Sequence, residues 1–131
     1  MTALLPQTQG AMRQRVSLAP LTWFRIGGPA EWLFQPADVQ DLAAFLAAAP
    51  PGLRIMPMGV ASNLLVRDGG IDGVVVRFGG PLAKVETDGR MVIAGAGALD
   101  QRVAQVAQTA GLSGLEFMIG IPGTIGGAVR M

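Results

Sequence analysis

The chain has 131 residues, half of them hydrophobic, and a formal net charge of +1. That length fits one ordinary domain or two small lobes, and the near-zero charge argues neither for a nucleic-acid surface nor for a membrane one. With no Cys, His or Tyr, disulfides, thiolate nucleophiles, imidazole bases, phenolic acids and most transition-metal sites are excluded. Any chemistry rests on carboxylates, Lys, Arg, hydroxyls or a bound cofactor. The 19 glycines and 9 prolines are spaced by apolar runs, which reads as many turns rather than disorder. Met1–Gly10 lacks the basic start and apolar core of a secretory signal, and the longest apolar run, Ala43–Ala49, is too short to span a bilayer. A cytoplasmic location is therefore expected.

Met1–Arg15 has weak helical character and reads as a lead-in. Trp23, Phe24 and Ile26 are core candidates, and Gly27-Gly28-Pro29 turns the chain. Arg25, read as extended, points either to water or to an anion. Alternation over 30–35 predicts a strand. Asp38 has the chemistry of a helix N-cap, and Asp41 follows in the first turn. Val39, Leu42, Ala43, Phe45 and Leu46 recur at helical spacing until Pro50-Pro51-Gly52 stops the helix. Arg54–Met58 is a second strand, so the three elements predict a parallel β-α-β unit.

Gly59-Val60-Ala61-Ser62-Asn63 then lies at the carboxyl end of a strand, where open α/β sheets bind ligands. An ordinary Asx- or Ser-type turn is the alternative reading. Leu64–Arg67 and Gly73–Phe78 read as strands around an Asp68-Gly69-Gly70 turn, and Arg67 and Asp68 as surface charges. Val74-Val75-Val76 suggests burial on both faces. Asp88-Gly89 predicts a hairpin between Lys84–Thr87 and Arg90–Ala94. A helix is expected over 100–110, with Val103, Val106, Ala107 and Ala110 on its apolar face and Gly111 as its cap. Leu112–Met118 reads as a further helical turn.

Gly120-Ile121-Pro122-Gly123-Thr124-Ile125-Gly126-Gly127-Ala128 is the densest glycine stretch. It reads as a rigid, partly buried loop whose N–H groups face a phosphate or a planar ring, or else as a tight turn between packed elements. The common nucleotide fingerprints fail: Asp100 stands where Gly-Ala-Gly at 95–97 would need a further glycine, and no Gly-Lys-Ser/Thr occurs.

Four segments in order carry a resemblance. Thr22-Trp23-Phe24-Arg25-Ile26-Gly27-Gly28-Pro29-Ala30, Ser62-Asn63-Leu64-Leu65-Val66, Gly111-Leu112-Ser113-Gly114-Leu115-Glu116-Phe117 and Gly120–Val129 together resemble the UDP-N-acetylenolpyruvoylglucosamine reductase family of peptidoglycan synthesis. The likeness runs from about Leu18 onward.

The resemblance implies an α+β fold, the FAD-binding domain of the vanillyl-alcohol-oxidase type. Two lobes would hold FAD, and the sequence would break off before the substrate domain. It implies a lead-in over 1–17, a first lobe over 18–80 and a partial second lobe over 81–131. Gly59, Val60, Ala61, Ser62, Asn63 and Leu64 would take the pyrophosphate. Gly120, Pro122, Gly123, Thr124, Gly126, Gly127 and Ala128 would run along the dinucleotide toward the ring. NADPH would reduce the flavin, the reduced flavin would pass a hydride to UDP-N-acetylglucosamine enolpyruvate, and UDP-N-acetylmuramate would result. The arginine, serine and glutamate that serve catalysis in the family match no position here. The chain alone is therefore expected to be inactive, and Glu116, expected to end a short helix or pair locally, is no substitute. Ala61 departs from the family's usual glycine, which carries a cost if that position needs positive φ.

Overall fold

The computed structural model describes residues 4–131, which divide into two compact units, one ending at Phe78 and the other running from Gly79 to Met131. The first unit is built on a four-stranded sheet in the order β1-β2-β4-β3: β1 Ala11–Ser17, β2 Pro29–Gln35, β3 Ile55–Met58 and β4 Ile71–Arg77. Helix α1, Val39–Ala48, connects β2 to β3. The two strands run in one direction as expected, but they are not neighbours, because each pairs in parallel with β4 between them.

The valine run explains the place of β4. Val74, Val75 and Val76 are at most 1% exposed. Successive side chains of a strand point to opposite faces, and two clusters result. Leu33 and Val75 join Leu18, Ala30, Met58, Ala61 and Val66 in one. Phe34, Val74 and Val76 join Phe45 of α1 in the other, with the Phe34 and Phe45 rings 4.8 Å apart. A central strand covered on both sides needs no polar alternation.

Several expectations are corrected here. Residues 11–15, expected in a helical lead-in, lie in β1, which pairs antiparallel with β2. Residues 1–3 of that lead-in fall outside the described residues. Leu64–Arg67 is not a strand. It forms coil whose Val66 is buried in the first cluster, and its backbone bonds elsewhere: the carbonyl of Arg67 accepts from Gly28 and Gly70 at 3.0 and 2.9 Å. Gly28 is required at this crossing, since a Cβ there would stand 2.1 Å from the Asp68 carbonyl.

Trp23, Phe24 and Ile26 are not core: they are 59%, 59% and 54% exposed. Arg25 between them is not extended, with φ +56, and its guanidinium donates to the Pro20 carbonyl at 2.8 Å. That left-handed kink turns the flanking apolar side chains away from the sheet. On α1, Phe45 is buried and Leu42 half-buried, whereas Val39, Ala43 and Leu46 are exposed, so the helix buries a narrower stripe than its composition suggests.

Pairing of β2 with β4 shifts by one residue between Ala30/Ile71 and Trp32/Val74. The extra residue on β4 is a bulge. It frees the N–H of Gly73, at φ +89, to donate to Glu31 Oε2 at 2.7 Å.

The second unit holds the hairpin β5 Val85–Asp88 and β6 Met91–Ala94, helix α2 Asp100–Thr109, a 3-10 turn Glu116–Gly120 and the short helix α3 Ile125–Arg130. Asp88 pairs with Met91, so the two loop residues are Gly89-Arg90 rather than Asp88-Gly89. Gly89 at φ +57 occupies the first loop position, as a type II′ turn requires. Val103, Ala104 and Ala107 form the buried face of α2, with Ala104 in place of the expected, exposed Ala110. Gly111 ends the helix at φ +70.

Candidate functional site

In the first unit, β3 ends at Met58 and the 59–63 segment follows as bends and a turn. Gly59 and Val60 are half-buried, Ala61 is 8% exposed, Ser62 and Leu64 are half-buried and Asn63 is exposed. The segment is anchored from below: the Ala61 methyl belongs to the first core cluster, Leu64 packs against that cluster, and the Ala61 carbonyl accepts from the N–H of Trp23 at 3.3 Å. Its donors are left over. Among the described residues the N–H groups of Gly59, Val60, Ala61 and Asn63 take no hydrogen-bond partner.

Ala61 is the buried residue of this run, and its N–H is a donor left unpaired among the described residues. Ala61 sits at φ +52. A left-handed residue within a run of unpaired amides is how a backbone nest for anions is made. The condition stated for Ala61 is thus met: an L-residue in this region carries roughly 1–2 kcal/mol of strain that glycine would avoid.

In the second unit the 120–128 segment is not the continuous loop that the sequence suggested. Gly120 closes the 3-10 turn, Ile121–Gly123 is irregular, and Gly126, Gly127 and Ala128 lie in α3. Several of its donors are occupied: Ile125 N–H on Ala98 at 2.9 Å, Gly126 N–H on Ala96 at 2.8 Å and Ala128 N–H on Thr124 at 2.9 Å. The N–H groups of Gly123, Thr124 and Gly127 are without partners among the described residues.

Thr124 is 6% exposed and bridges to Leu99, whereas Gly120, Pro122, Gly127 and Ala128 are exposed. A Cβ on Gly127 would meet only Thr124 Oγ1, at 3.7 Å, and one on Gly120 would meet nothing within 4 Å. These glycines are not demanded by the unit's own packing. Small residues beside free amides on an open surface suit a flat group lying against backbone. Each segment, taken by itself, suits part of a nucleotide cofactor: hydrogen-bond-donating amides at 59–63, and a surface without side chains at 120–128.

Two buried carboxylates escaped the sequence reading as polar centres. Asp41, 4% exposed, accepts from Gln9 N–H on Oδ1 at 2.8 Å and from Gly10 and Ala37 N–H on Oδ2 at 2.8 and 2.9 Å. Asp38 caps α1 by accepting from Asp41 N–H at 2.7 Å. The Asp-x-x-Asp spacing was the available signal, a relative of the capping box in which the second acid reaches back. Asp100 is 1% exposed, and both its carboxylate oxygens lack partners among the described residues. Glu116 pairs locally, accepting from Gly114 N–H at 2.7 Å, and its own backbone and that of Gly114 hold its carboxyl below the ordinary value. It opens its 3-10 turn rather than ending a helix.

Comparison with known proteins shows the family. The sequence profile of the FAD binding domain family matches residues 30–131. The chain belongs to that family of α+β flavin-binding domains, whose cofactor is FAD. Its relatives within the family are UDP-N-acetylenolpyruvoylglucosamine reductases. The enzyme of Rhodospirillum rubrum is 58% identical over 127 residues, which cover 97% of this chain and 40% of the relative. That of Paracoccus denitrificans is 57% identical over 131 residues, covering 100% and 42%. The crystal structure of UDP-N-acetylenolpyruvylglucosamine reductase from Thermus caldophilus aligns with a TM-score of 0.74 at 38% identity, over 91% of this chain and 42% of that one. The chain thus spans about two fifths of the length of these proteins. Among the described residues no helix is long and apolar enough to cross a membrane.

Proposed function

We propose that this chain is the FAD-binding portion of an NADPH-dependent reductase that converts UDP-N-acetylglucosamine enolpyruvate to UDP-N-acetylmuramate in cytoplasmic peptidoglycan synthesis. Gly59, Val60, Ala61, Ser62, Asn63 and Leu64 form the cradle for the pyrophosphate. Gly120, Pro122, Gly123, Thr124, Gly126, Gly127 and Ala128 form the floor along which the dinucleotide extends. The observation that supports this most is the run of unpaired amides at 59–61 and 63, held rigid by an alanine whose methyl is locked in the core.

Each such N–H donates to an anionic oxygen without first breaking a bond inside the protein, so the binding energy is not spent on rearrangement. When bound, FAD supplies the redox chemistry, passing a hydride from NADPH to the enolpyruvyl double bond. The contribution of this chain is to bind and orient. The UDP-sugar would be engaged only by the part of such a reductase that lies outside these residues.

Gly127→Val tests the floor. The added Cβ meets only Thr124 Oγ1, at an ordinary contact distance of 3.7 Å, and Gly127 is exposed, so the fold is expected to be retained. FAD affinity, read by quenching of flavin fluorescence, is expected to fall at least about tenfold, since a blocked contact worth 1.4 kcal/mol costs that factor. Equal FAD affinity in Gly127→Val and the unaltered chain would remove the 120–128 segment from the site.

A further inference from the structure

Asp100 is the one buried side chain whose oxygens go unanswered among the described residues. It is the first residue of α2, and its own N–H donates to the Gly123 carbonyl at 3.1 Å. The preceding residues carry the other half of the same contact: Leu99 pairs with Thr124, and the Ala98 carbonyl accepts from Ile125 N–H at 2.9 Å. These two hydrogen bonds make the bridge that fastens the glycine segment to the start of α2. Behind them lie Ala98, Val103, Ala104 and Met118, an apolar cluster with nothing to offer a carboxylate.

The charged groups on the elements packed against α2 or bridged to its start are Glu86 and Asp88 on β5, Glu116 on the 3-10 turn and Arg130 on α3, with Arg102 on α2 itself and none on β6. All five are exposed, and none is bonded to Asp100.

We propose that Asp100 is a proton-linked catch on the 120–128 segment: the neutral carboxyl permits the Leu99–Thr124 bridge to stay closed, and ionisation opens that bridge locally. The charged form would be 1% exposed and without a donor among the described residues, and a carboxylate in that position is strongly disfavoured. Burial accordingly pushes its pKa upward. Water reaches the group most readily if the two bonds flanking it part, which is a local opening rather than unfolding of the unit. The proton leaves to solvent, the carboxylate hydrates, and Gly123, Thr124 and Ile125 are released from α2. The inference does not depend on which ligand the segment holds.

Amide hydrogen exchange on the unaltered 131-residue chain tests it, following the N–H groups of Asp100, Ile125 and Gly126 and correcting for intrinsic exchange. Because the folded-state pKa lies above the ordinary 3.8, the closed state is fully favoured below 3.8 and weakens as pH rises. The opening constant is expected to climb about tenfold per pH unit above that value and to level off once the closed-state carboxyl itself ionises. In Asp100→Asn, and in Asp100→Leu as a second variant without polar atoms, the three amides are expected to show a pH-independent opening constant. A flat profile in the unaltered chain, or the same slope in a folded variant, overturns the proposal.

Discussion

Replacing Phe34 by alanine is expected to lower the stability of the first unit by about 3–5 kcal/mol, measured as a shift in the urea unfolding midpoint. Phe34 is fully buried and fills the face of the sheet between Val74, Val76 and Phe45. Its ring meets that of Phe45 at 4.8 Å with 47° between planes, a tilted arrangement worth somewhat more than its area alone. Truncation removes this contact and leaves a cavity under α1, where only the half-buried Leu42 stands beside Phe45 in the cluster. The loss is a large share of the roughly 5–15 kcal/mol that holds a domain together. Leu46→Ala, at a half-exposed position of the same helix, serves as the control and is expected to cost less than about 1 kcal/mol. Equal effects at the two positions would contradict the assignment of the second cluster.

Asp41→Ala is expected to cost about 3 kcal/mol and to remove a pH dependence. The carboxylate collects three backbone N–H groups from two stretches far apart in sequence, 9–10 and 37. Hydrogen bonds to a charged group contribute about 1.5–3 kcal/mol each, and part of that returns when water reaches the freed amides. Burial acts to raise the carboxyl's pKa, but the N–H groups of Ala37, Gln9 and Gly10 more than offset it, and the net shift is downward from 3.8. With the folded value below the unfolded one, the stabilisation is complete above 3.8 and is lost as pH falls through the folded value. Acid unfolding of the unaltered chain should therefore steepen below that pH, and Asp41→Ala should lack this component. Asp41→Asn, which keeps one acceptor oxygen, should fall between. An Asp41→Ala profile parallel to that of the unaltered chain at every pH would show that the carboxylate is not the clasp on the N-terminal segment.

Local chemistry was legible in the sequence wherever it is self-contained. Asp38 announces a cap because its partner, Asp41 N–H, is three residues away, and Gly89 announces a hairpin because the turn itself demands its conformation. The valine run disclosed a doubly covered strand. What failed depends on distant partners. Residues 11–15 carry no strong pattern of their own and become strand because β2 offers an edge. Leu64–Arg67 has the composition of a strand but covers the face of the sheet, where Gly28 and Gly70 claim its carbonyl. Trp23, Phe24 and Ile26 were read as core from hydrophobicity alone, and the left-handed Arg25 that turns them outward has no signature in composition.

The sequence marks two candidate segments but not their shape. Glycine density marked 120–128, yet the partners that occupy Ile125 and Gly126, the carbonyls of Ala98 and Ala96, lie about thirty residues back, so α3 was read as loop. Ala61 could be flagged only conditionally, because a φ value belongs to the fold. Asp41 and Asp100 look alike as first-turn acids of helices. One is fully satisfied and the other wholly unpaired, and only the surrounding backbone distinguishes them.

If the proposal holds, the residues of this chain suffice to bind a dinucleotide. The most direct measurement is an FAD titration of the purified 131-residue chain by flavin fluorescence and absorbance, with FMN as comparison. Saturable binding of FAD, with FMN much weaker because it lacks the pyrophosphate and adenosine, is the predicted result. No saturable FAD binding by the folded chain, or FMN binding as tight as FAD, would contradict it.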